Sequence, residues 1–357
     1  MNLPDILKAE VAGKTILVRG DLDVPLTEFR VQNSEFRIDD DTRIVAGFPT
    51  VDYLLKSGAT VILIGHLGRP EGKVQAEYSL EPIAKWYSQV FSIRYLVFSI
   101  GEFSGWKIGE KLVVLENLRF YPGEESKDSS FVQKLSWLGD IYVNDAFAAS
   151  HRDHASIVGI PKLLHHFAGL QLQKEIESLS KITDNPQKPC IVIIGGKKLE
   201  TKLPLVEKML EIADFVLVGG LIAKEIEEHH PIYNAKLKLA RQNKDATDIA
   251  QVSTDEFVRV ISQAKTIVWN GSMGKLSSKF KVQSSKLDQE DTEEGTRRIA
   301  QAIIKSRAYS VTGGGDTIEF LQKEGLFDKF NFVSTGGGAM LSFLAGEKLP
   351  GIEALLQ

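Results

Sequence analysis

Two sets of residues in this chain have types and spacings suited to chemistry. The first is a series of glycine turns after apolar runs: Ile194-Gly195-Gly196-Lys197-Lys198, Val218-Gly219-Gly220-Leu221, Trp269-Asn270-Gly271-Ser272-Met273-Gly274, Thr312-Gly313-Gly314-Gly315-Asp316-Thr317 and Val333-Ser334-Thr335-Gly336-Gly337-Gly338. Each reads as a strand end, a turn and a helix start. Peptide N–H groups at a helix start lack intrahelical partners and carry partial positive charge, so such a turn can hold an anion. A single glycine turn is often only a bend. Five of them, one with lysines and one with an acid, suggest a nucleotide held by main chain. Lys198 and Lys202 are four apart, so a helix beginning near Lys198 would point both toward one anion. Asp316 at a helix start can cap that helix or hold Mg2+ against nucleotide phosphates. Thr317 can offer a hydroxyl to phosphate.

The second set is cationic and lies in the first half. Arg19 stands with Asp21 and Asp23. His66-Leu67-Gly68-Arg69-Pro70, Glu116-Asn117-Leu118-Arg119 and His151-Arg152-Asp153-His154 follow, and Arg43 opens a helix. A planar guanidinium grips carboxylate or phosphate through two parallel hydrogen bonds. Taken singly, each arginine is a surface residue paired with an acid. Together at successive strand ends, they suit a small ligand with several negative charges. His66, His151 and His154 titrate near neutrality, yet read better as donors to an anion or satisfied core groups than as bases. His165, His166, His229 and His230 show no ligand spacing with an acid and are expected to be solvated. No zinc-type cluster is visible. Ala12-Gly13-Lys14-Thr15 ends like a phosphate loop but has Lys8 where the motif needs glycine.

These groups need a scaffold. Apolar runs predict strands at residues 15–24, 61–66, 94–98, 111–116 and 141–147. Helical patterns fall at 43–57, 80–90, 128–138 and 155–164. A helix-like stretch at 168–182 stops at Asp184-Asn185-Pro186-Gln187-Lys188-Pro189. The alternation then repeats, with strands at 189–195, 215–219, 266–270, 308–312 and 330–335 and helices at 201–212, 221–228, 254–264, 293–305 and 316–323. Residues 234–248 are polar and without period, hence a loop or short helix. Dense apolar runs imply strands covered on both faces, hence parallel sheets. The expectation is an α/β protein of two doubly wound, Rossmann-like domains joined by a helix and facing each other across a cleft. The boundaries are 1–167, a connector at 168–185, 186–340, and a tail at 341–357 with a turn before a last short helix.

The bulk numbers agree. A length of 357 residues suits two domains. A content of 43% hydrophobic and 25% charged residues is a globular composition. A net charge of −4 argues against a broad nucleic-acid surface. The single cysteine, Cys190, excludes an intrachain disulfide and fits a reducing cytoplasm. It opens an apolar run and is expected to be a buried structural thiol. No signal peptide and no apolar run long enough to span a bilayer is seen.

At this point the chain closely resembles the phosphoglycerate kinases. The matching runs include Val18-Arg19-Gly20-Asp21-Leu22-Asp23, His66-Leu67-Gly68-Arg69-Pro70, Glu116-Asn117-Leu118-Arg119-Phe120, Tyr142-Val143-Asn144-Asp145-Ala146-Phe147 with His151-Arg152, Gly195-Gly196-Lys197-Lys198, Trp269-Asn270-Gly271-Ser272-Met273-Gly274 and the last two glycine turns. They keep the family's order over nearly the whole chain. The resemblance implies a monomer whose first domain binds 3-phosphoglycerate or 1,3-bisphosphoglycerate through Asp21, Asp23, Arg43, His66, Arg69, Arg119 and Arg152. The second would bind Mg-ADP or Mg-ATP through Lys198, Lys202, Asn270, Gly314, Gly315, Asp316 and Thr317, with Asp316 toward the metal. Arg43, Lys198 and the N–H groups of Gly337 and Gly338 would stabilise the phosphoryl group in flight. The tail would pack back on the first domain.

The chain also departs from the family. Asp23 replaces an asparagine and would repel an anion unless Arg19 or another cation pairs it. Tyr121 replaces a histidine, and Ser272 a proline. An acid expected near Ser277 to hold the ribose is absent, and the segment between Leu221 and Thr254 is short, so a strand or hairpin is expected to be missing there. Two classes therefore fit: an active kinase with a trimmed nucleotide domain, or a non-catalytic descendant that binds phosphoglycerate or nucleotide as a sensor or scaffold. Kinase action on another carboxylic acid fits the arginine set less well.

Overall fold

Thr15–Arg19 is a run of branched apolar residues closed by an arginine. In the computed structural model it forms β1, near the middle of the first sheet. The structure describes residues 2–30, 35–276 and 291–357. Two compact units emerge, residues 1–176 with 348–357, and residues 177–347.

In the first unit β1 is followed by β2 (Leu26–Arg30), β3 (Glu35–Ile38), α1 (Thr42–Lys56), β4 (Thr60–Ile64), α2 (Glu81–Phe91), β5 (Tyr95–Ile100), β6 (Phe103–Ile108) and β7 (Leu112–Leu115). Then come α3 (Pro122–Ser126), α4 (Ser129–Ser136), β8 (Ile141–Asn144), β9 (His165–Ala168) and α5 (Leu170–Thr183), which contains the unit boundary. The sheet order is β5-β6-β7-β4-β1-β8-β9. β7, β4, β1, β8 and β9 are parallel. The chain moves outward from β1 through β4 to β7, then restarts beside β1 at β8. Ligands of open α/β sheets bind at such a switch, beyond the carboxyl ends of the strands. The core beneath is one cluster that includes Ile16, Val18, Val61, Leu63, Val114 and Val143.

The second unit holds β10 (Cys190–Ile194), α6 (Leu203–Ile212), β11 (Phe215–Val218), α7 (Gly220–His229), β12 (Leu237–Leu239), α8 (Gln251–Ile261) and β13 (Thr266–Asn270). α9 (Glu294–Ser306), β14 (Tyr309–Gly313), α10 (Gly315–Lys323), β15 (Phe332–Ser334) and α11 (Gly338–Leu344) complete it. Its six strands are all parallel in the order β12-β11-β10-β13-β14-β15, with the switch between β10 and β13. Cys190 is buried at the start of β10, and burial pushes its thiol up to about 11, which fits a structural role.

Several expectations need correction. The first sheet is not wholly parallel, because β5 and β6 form an antiparallel hairpin at its edge. β5 is half-exposed rather than covered on both faces, with Leu96 71% and Val97 82% exposed. Residues 155–164 form a wide π-type turn (Ala155–Gly159) and a 3-10 turn (Ile160–Lys162), not one helix. Residues 234–248 do contain a strand, β12, which pairs with β11. The hairpin of β2 and β3 and the edge strand β9 carry no strong period either. His165 in β9 is exposed as expected, but His166 is half-buried, with Nδ1 2.8 Å from the Pro161 carbonyl.

The last residues rejoin the first unit through α12 (Pro350–Glu353). The Gly351 N–H donates to the Ser150 carbonyl at 2.8 Å. A Cβ on Gly351 would lie 2.7 Å from Ile157 Cγ2 and 3.0 Å from Ser150 Cα. Neither neighbour has room to retreat, since both are fully buried. Gly351→Val is therefore expected to lower stability by about 1–3 kcal/mol, read as a lower urea midpoint.

Candidate active site

Apart from Arg43, which opens α1, the functional groups of the first unit sit at or just past the ends of parallel strands. Gly20 to Val24 follow β1, Gly65 to Pro70 follow β4, Glu116 to Arg119 follow β7 and Asp145 follows β8. The loops are tied to one another. Asn117 is fully buried and donates to the carbonyls of Leu67 and Tyr78 at 2.7 and 2.9 Å, while its side-chain oxygen accepts from Arg119 N at 3.0 Å. The peptide of Gly68 joins two more residues: its N–H donates to Asp23 Oδ1 at 3.0 Å and its carbonyl accepts from Arg119 at 2.7 Å. Gly68 has φ +60°, and a Cβ there would overlap the Tyr78 ring. Only glycine fits such a position.

Asp21 is buried, and the Ala148 peptide N–H approaches its carboxylate without the geometry of a full hydrogen bond. Arg43 lies 3.8 Å away. Burial raises the Asp21 pKa, while Arg43 and Arg19 pull it down. Asp23 is not left to repel an anion. It accepts from Gly68, lies 3.8 Å from Arg43 and 4.0 Å from His66 Nε2, and its carbonyl accepts from Arg43 at 2.7 Å. The pairing cation is Arg43, not Arg19.

Arg19 is fully buried, and its guanidinium donates to Ser156 Oγ at 3.0 Å, to the Gly20 carbonyl and to His66 Nδ1 at 2.7 Å. Burial, then Arg19, Arg119, His154 and Arg43, hold the His66 pKa well below the ordinary histidine range. Two like charges about 4 Å apart at an effective dielectric near 20 repel by about 4 kcal/mol, so the ring stays neutral. Burial, then Arg119, Arg19, Arg152 and His151, take His154 down to about 4. Neither ring is set to be a base near neutrality. Arg119 is buried and lies 3.0 Å from Glu125. Arg69 is exposed and Arg152 half-exposed, and neither side chain takes a hydrogen bond or ion pair from the described residues. Arg152 is near enough to Arg119 and His154 to depress both.

Two carboxylates here lay outside the sequence reading of the site. Glu124 is fully buried and accepts from Ser156 N at 2.9 Å and Ser156 Oγ at 2.6 Å. Asp145 accepts from Gln171 N and Leu172 N at 2.9 and 3.2 Å, capping α5, and burial pushes its carboxyl up to about 7. No local motif signals either pairing, because the partners are remote in sequence. Tyr121, in place of a histidine, packs its ring against Phe103 and Phe131.

In the second unit the carboxyl ends of β10, β13, β14 and β15 are neighbours, so their glycine turns lie side by side. Lys202 and Lys198 are not on one helical face. α6 begins at Leu203, Lys202 is its N-cap, and Lys198 is exposed in the preceding loop. Lys202 Nζ donates to the Gly195 carbonyl and lies 3.5 Å from the Asn270 carbonyl, at the switch between β10 and β13. Burial lowers its pKa to about 8, and Asp316 opposes the shift. Asn270 donates to the Gly313 carbonyl at 2.9 Å. Thr317 is fully buried and its hydroxyl accepts from Gly271 N at 2.8 Å, which ties two turns together.

Asp316 is exposed in the first turn of α10, and that helix has no side-chain cap hydrogen bond. Gly314, the N-cap with φ +100°, and Gly315 leave the first N–H groups of α10 open. Gly337 has φ +52°, and neither its N–H nor that of Gly338 meets an acceptor among the described residues. Among those residues no group of three or more His, Cys, Asp and Glu could hold a metal. A lone carboxylate beside open amides instead suits Mg2+ shared with phosphate oxygens. The expected ribose position at Ser277 lies outside the described residues.

The family model described as phosphoglycerate kinase matches residues 6–229 and 224–347. A curated phosphoglycerate kinase of Coprothermobacter proteolyticus is 35% identical and covers 100% of this chain and 99% of its own length. One from Herpetosiphon aurantiacus is 36% identical, with 99% of each covered. The first alignment runs over 409 positions against 357 residues here, so that relative carries residues this chain lacks. Among solved structures, the phosphoglycerate kinase of Coxiella burnetii superposes with a TM-score of 0.81 at 31% identity, covering 100% of this chain and 99% of its own. That of Pyrococcus horikoshii OT3 gives 0.77 at 30% identity, with 99% and 98% covered. With the whole length matched, and with arginines and open glycine turns at the strand ends, this chain belongs to the phosphoglycerate kinase family.

Proposed function

We propose that the chain catalyses reversible phosphoryl transfer between 1,3-bisphosphoglycerate and ADP, yielding 3-phosphoglycerate and ATP. The observation that carries this reading is the anion-ready chemistry at the switch point of each sheet. Arg43, Arg69, Arg119, Arg152 and His66 line the first with few anions to neutralise them. Asp21, buried and short of hydrogen bonds of good geometry among the described residues, suits the hydroxyl of a glycerate. The second offers Lys198, Lys202, Asn270 and the amides of Gly314 and Gly315 to nucleotide phosphates. Of the two positions that favoured a mere binder, Asp23 is answered by Gly68 and Arg43, and Ser277 lies outside the described residues.

The acceptor oxygen is already ionised in both directions, so no base is needed, and the neutral, depressed histidines agree with that. Rate must come from aligning two anions and stabilising the charge on the moving phosphoryl group. Arg43, Lys198 and the N–H groups of Gly337 and Gly338 are assigned that role. Mg2+, when bound with the nucleotide, would neutralise phosphate charge, with Asp316 as its protein ligand. Closure that excludes water would protect the acyl phosphate. Both substrate sites come from one chain, which fits a monomer, and the buried lone thiol fits a reducing cytoplasm. Among the described residues no helix is long and apolar enough to cross a membrane.

A coupled assay with ATP, Mg2+ and 3-phosphoglycerate tests the reading. Arg43→Ala and Lys198→Ala should each lower kcat on the order of 100-fold or more, and turnover that survives the double variant would remove the mechanism. Lys202 supplies a second test. With its pKa near 8, Lys202 of the free protein has lost about half of that proton at pH 8 and more above it. A bound phosphate stabilises the ammonium and raises its pKa, so nucleotide binding takes up a proton and weakens as pH rises. Calorimetry at about pH 8.5 in buffers of different ionisation enthalpy should show that uptake, and Lys202→Met should abolish it.

A further inference from the structure

We propose that Arg19 is a positioning residue rather than an anion ligand: it holds the proton of His66 on Nε2, as a neutral donor for the bound glycerate, and Glu124 holds Arg19 through Ser156. This rests on the reading of the first unit as the phosphoglycerate site.

The argument starts from what a guanidinium can do. It has only donors and no lone pair to accept with. Arg19 spends all three of its nitrogens inside the protein, on Ser156 Oγ, the Gly20 carbonyl and His66 Nδ1, and is fully buried. It has no face left for substrate. The guanidinium approaches Nδ1 to 2.7 Å. That contact requires Nδ1 to be the acceptor, so the ring proton is on Nε2. An imidazolium would set donor against donor. Nε2 has no hydrogen-bond partner among the described residues. The Asp23 carboxylate is 4.0 Å away and is engaged by Gly68. One N–H is therefore aimed and unspent.

The surroundings act in the same sense. His66 is faced by Arg19 from β1, Arg43 from α1, Arg119 beyond β7, His154 and the Asp23 carboxylate. His151 and Arg152 add to the field through His154. Behind Arg19 the chain of contacts ends in a countercharge. Ser156 Oγ accepts from Arg19 Nε and donates to Glu124 Oε1 at 2.6 Å, and Glu124 also accepts Ser156 N–H. Asp21 adds a weaker attraction to Arg19. Arg43, Arg69, Arg119 and Arg152 supply fixed charge, whereas His66 supplies a hydrogen bond that stays the same across the pH range of the reaction.

The test uses the full chain labelled with 15N, with long-range proton–nitrogen correlation reading each nitrogen of His66 and His66→Gln assigning the signals. The expected spectrum shows a neutral ring, proton on Nε2, unchanged between about pH 5.5 and 8.5. A proton on Nδ1, or a wild-type titration in the ordinary histidine range, overturns the proposal. In Arg19→Met/Glu124→Gln, which removes both buried charges together, Nδ1 loses its donor, so the ring should no longer keep its proton on Nε2 alone, while burial, Arg119 and Arg43 still hold its pKa below the ordinary range. KM for 3-phosphoglycerate should then stand about 10-fold above wild type, with kcat changed far less. A folded variant, by circular dichroism, that keeps the proton on Nε2 and the wild-type KM also overturns the proposal. Should the variant not fold, the wild-type spectrum still decides. Titration with 3-phosphoglycerate separates the two readings. No binding to wild type ends the proposed function and with it the donor role, whatever the tautomer, while binding that leaves the Nε2–H signal unmoved ends the donor role alone.

Discussion

A buried guanidinium is the constraint from which the first unit is built. Leaving such a cation unpaired in a protein interior costs several kcal/mol, so every donor has to find an oxygen or a ring nitrogen. Arg19 ends β1, and its partners come from the loops after β1 and β4 and from the turn at Ala155–Gly159. Satisfying this one residue therefore fixes the spacing of three segments around the switch point. The more exposed cations, Arg43 and Arg69 among them, can stay partly solvated because the rigid frame behind them is already complete.

The second unit solves a similar problem with different material. It has few arginines at its strand ends and relies on peptide groups. Gly314 and Gly337 turn the chain so that amides at the start of α10 and α11 lack acceptors among the described residues. Amides carry no net charge, so they attract phosphate without repelling one another, as a ring of lysines would. Lys202 is the exception, and burial against two carbonyls makes its proton easy to lose. Asp316 is close enough to moderate that loss.

Legibility in the sequence followed the strength of the local pattern. The parallel strands were plain because burial on both faces leaves an unbroken apolar run, as in Cys190–Ile194. The glycine turns were plain because positive φ restricts the residue type. β6 and β12 were hidden for the opposite reason. Ser104-Gly105 interrupts the apolar run of β6, and β12 is three half-buried residues at a sheet edge. The site divides in the same way. That arginines and histidines gather at strand ends can be read from spacing once the fold is known. Which of them face a ligand cannot, since Arg19 is turned inward by His66 and Ser156, both far along the chain. The helix register of Lys198 and Lys202 likewise hinged on a start point that Pro204, just inside α6, favours but does not dictate.

The placement of α12 bears on how the molecule is made. A ribosome delivers the chain in one direction, and amino-terminal domains usually fold as they emerge. Here the chain from Met1 to Ile176 would reach solvent with the seat of Gly351 still vacant, exposing Ile157 and the Ser150 carbonyl. The later-made residues 177–347 form a unit of their own and can mature in the meantime. Synthesis thus latches the part that began first only after the second unit is made, so a nascent chain stalled before Gly351 would hold an almost finished but unsealed opening half.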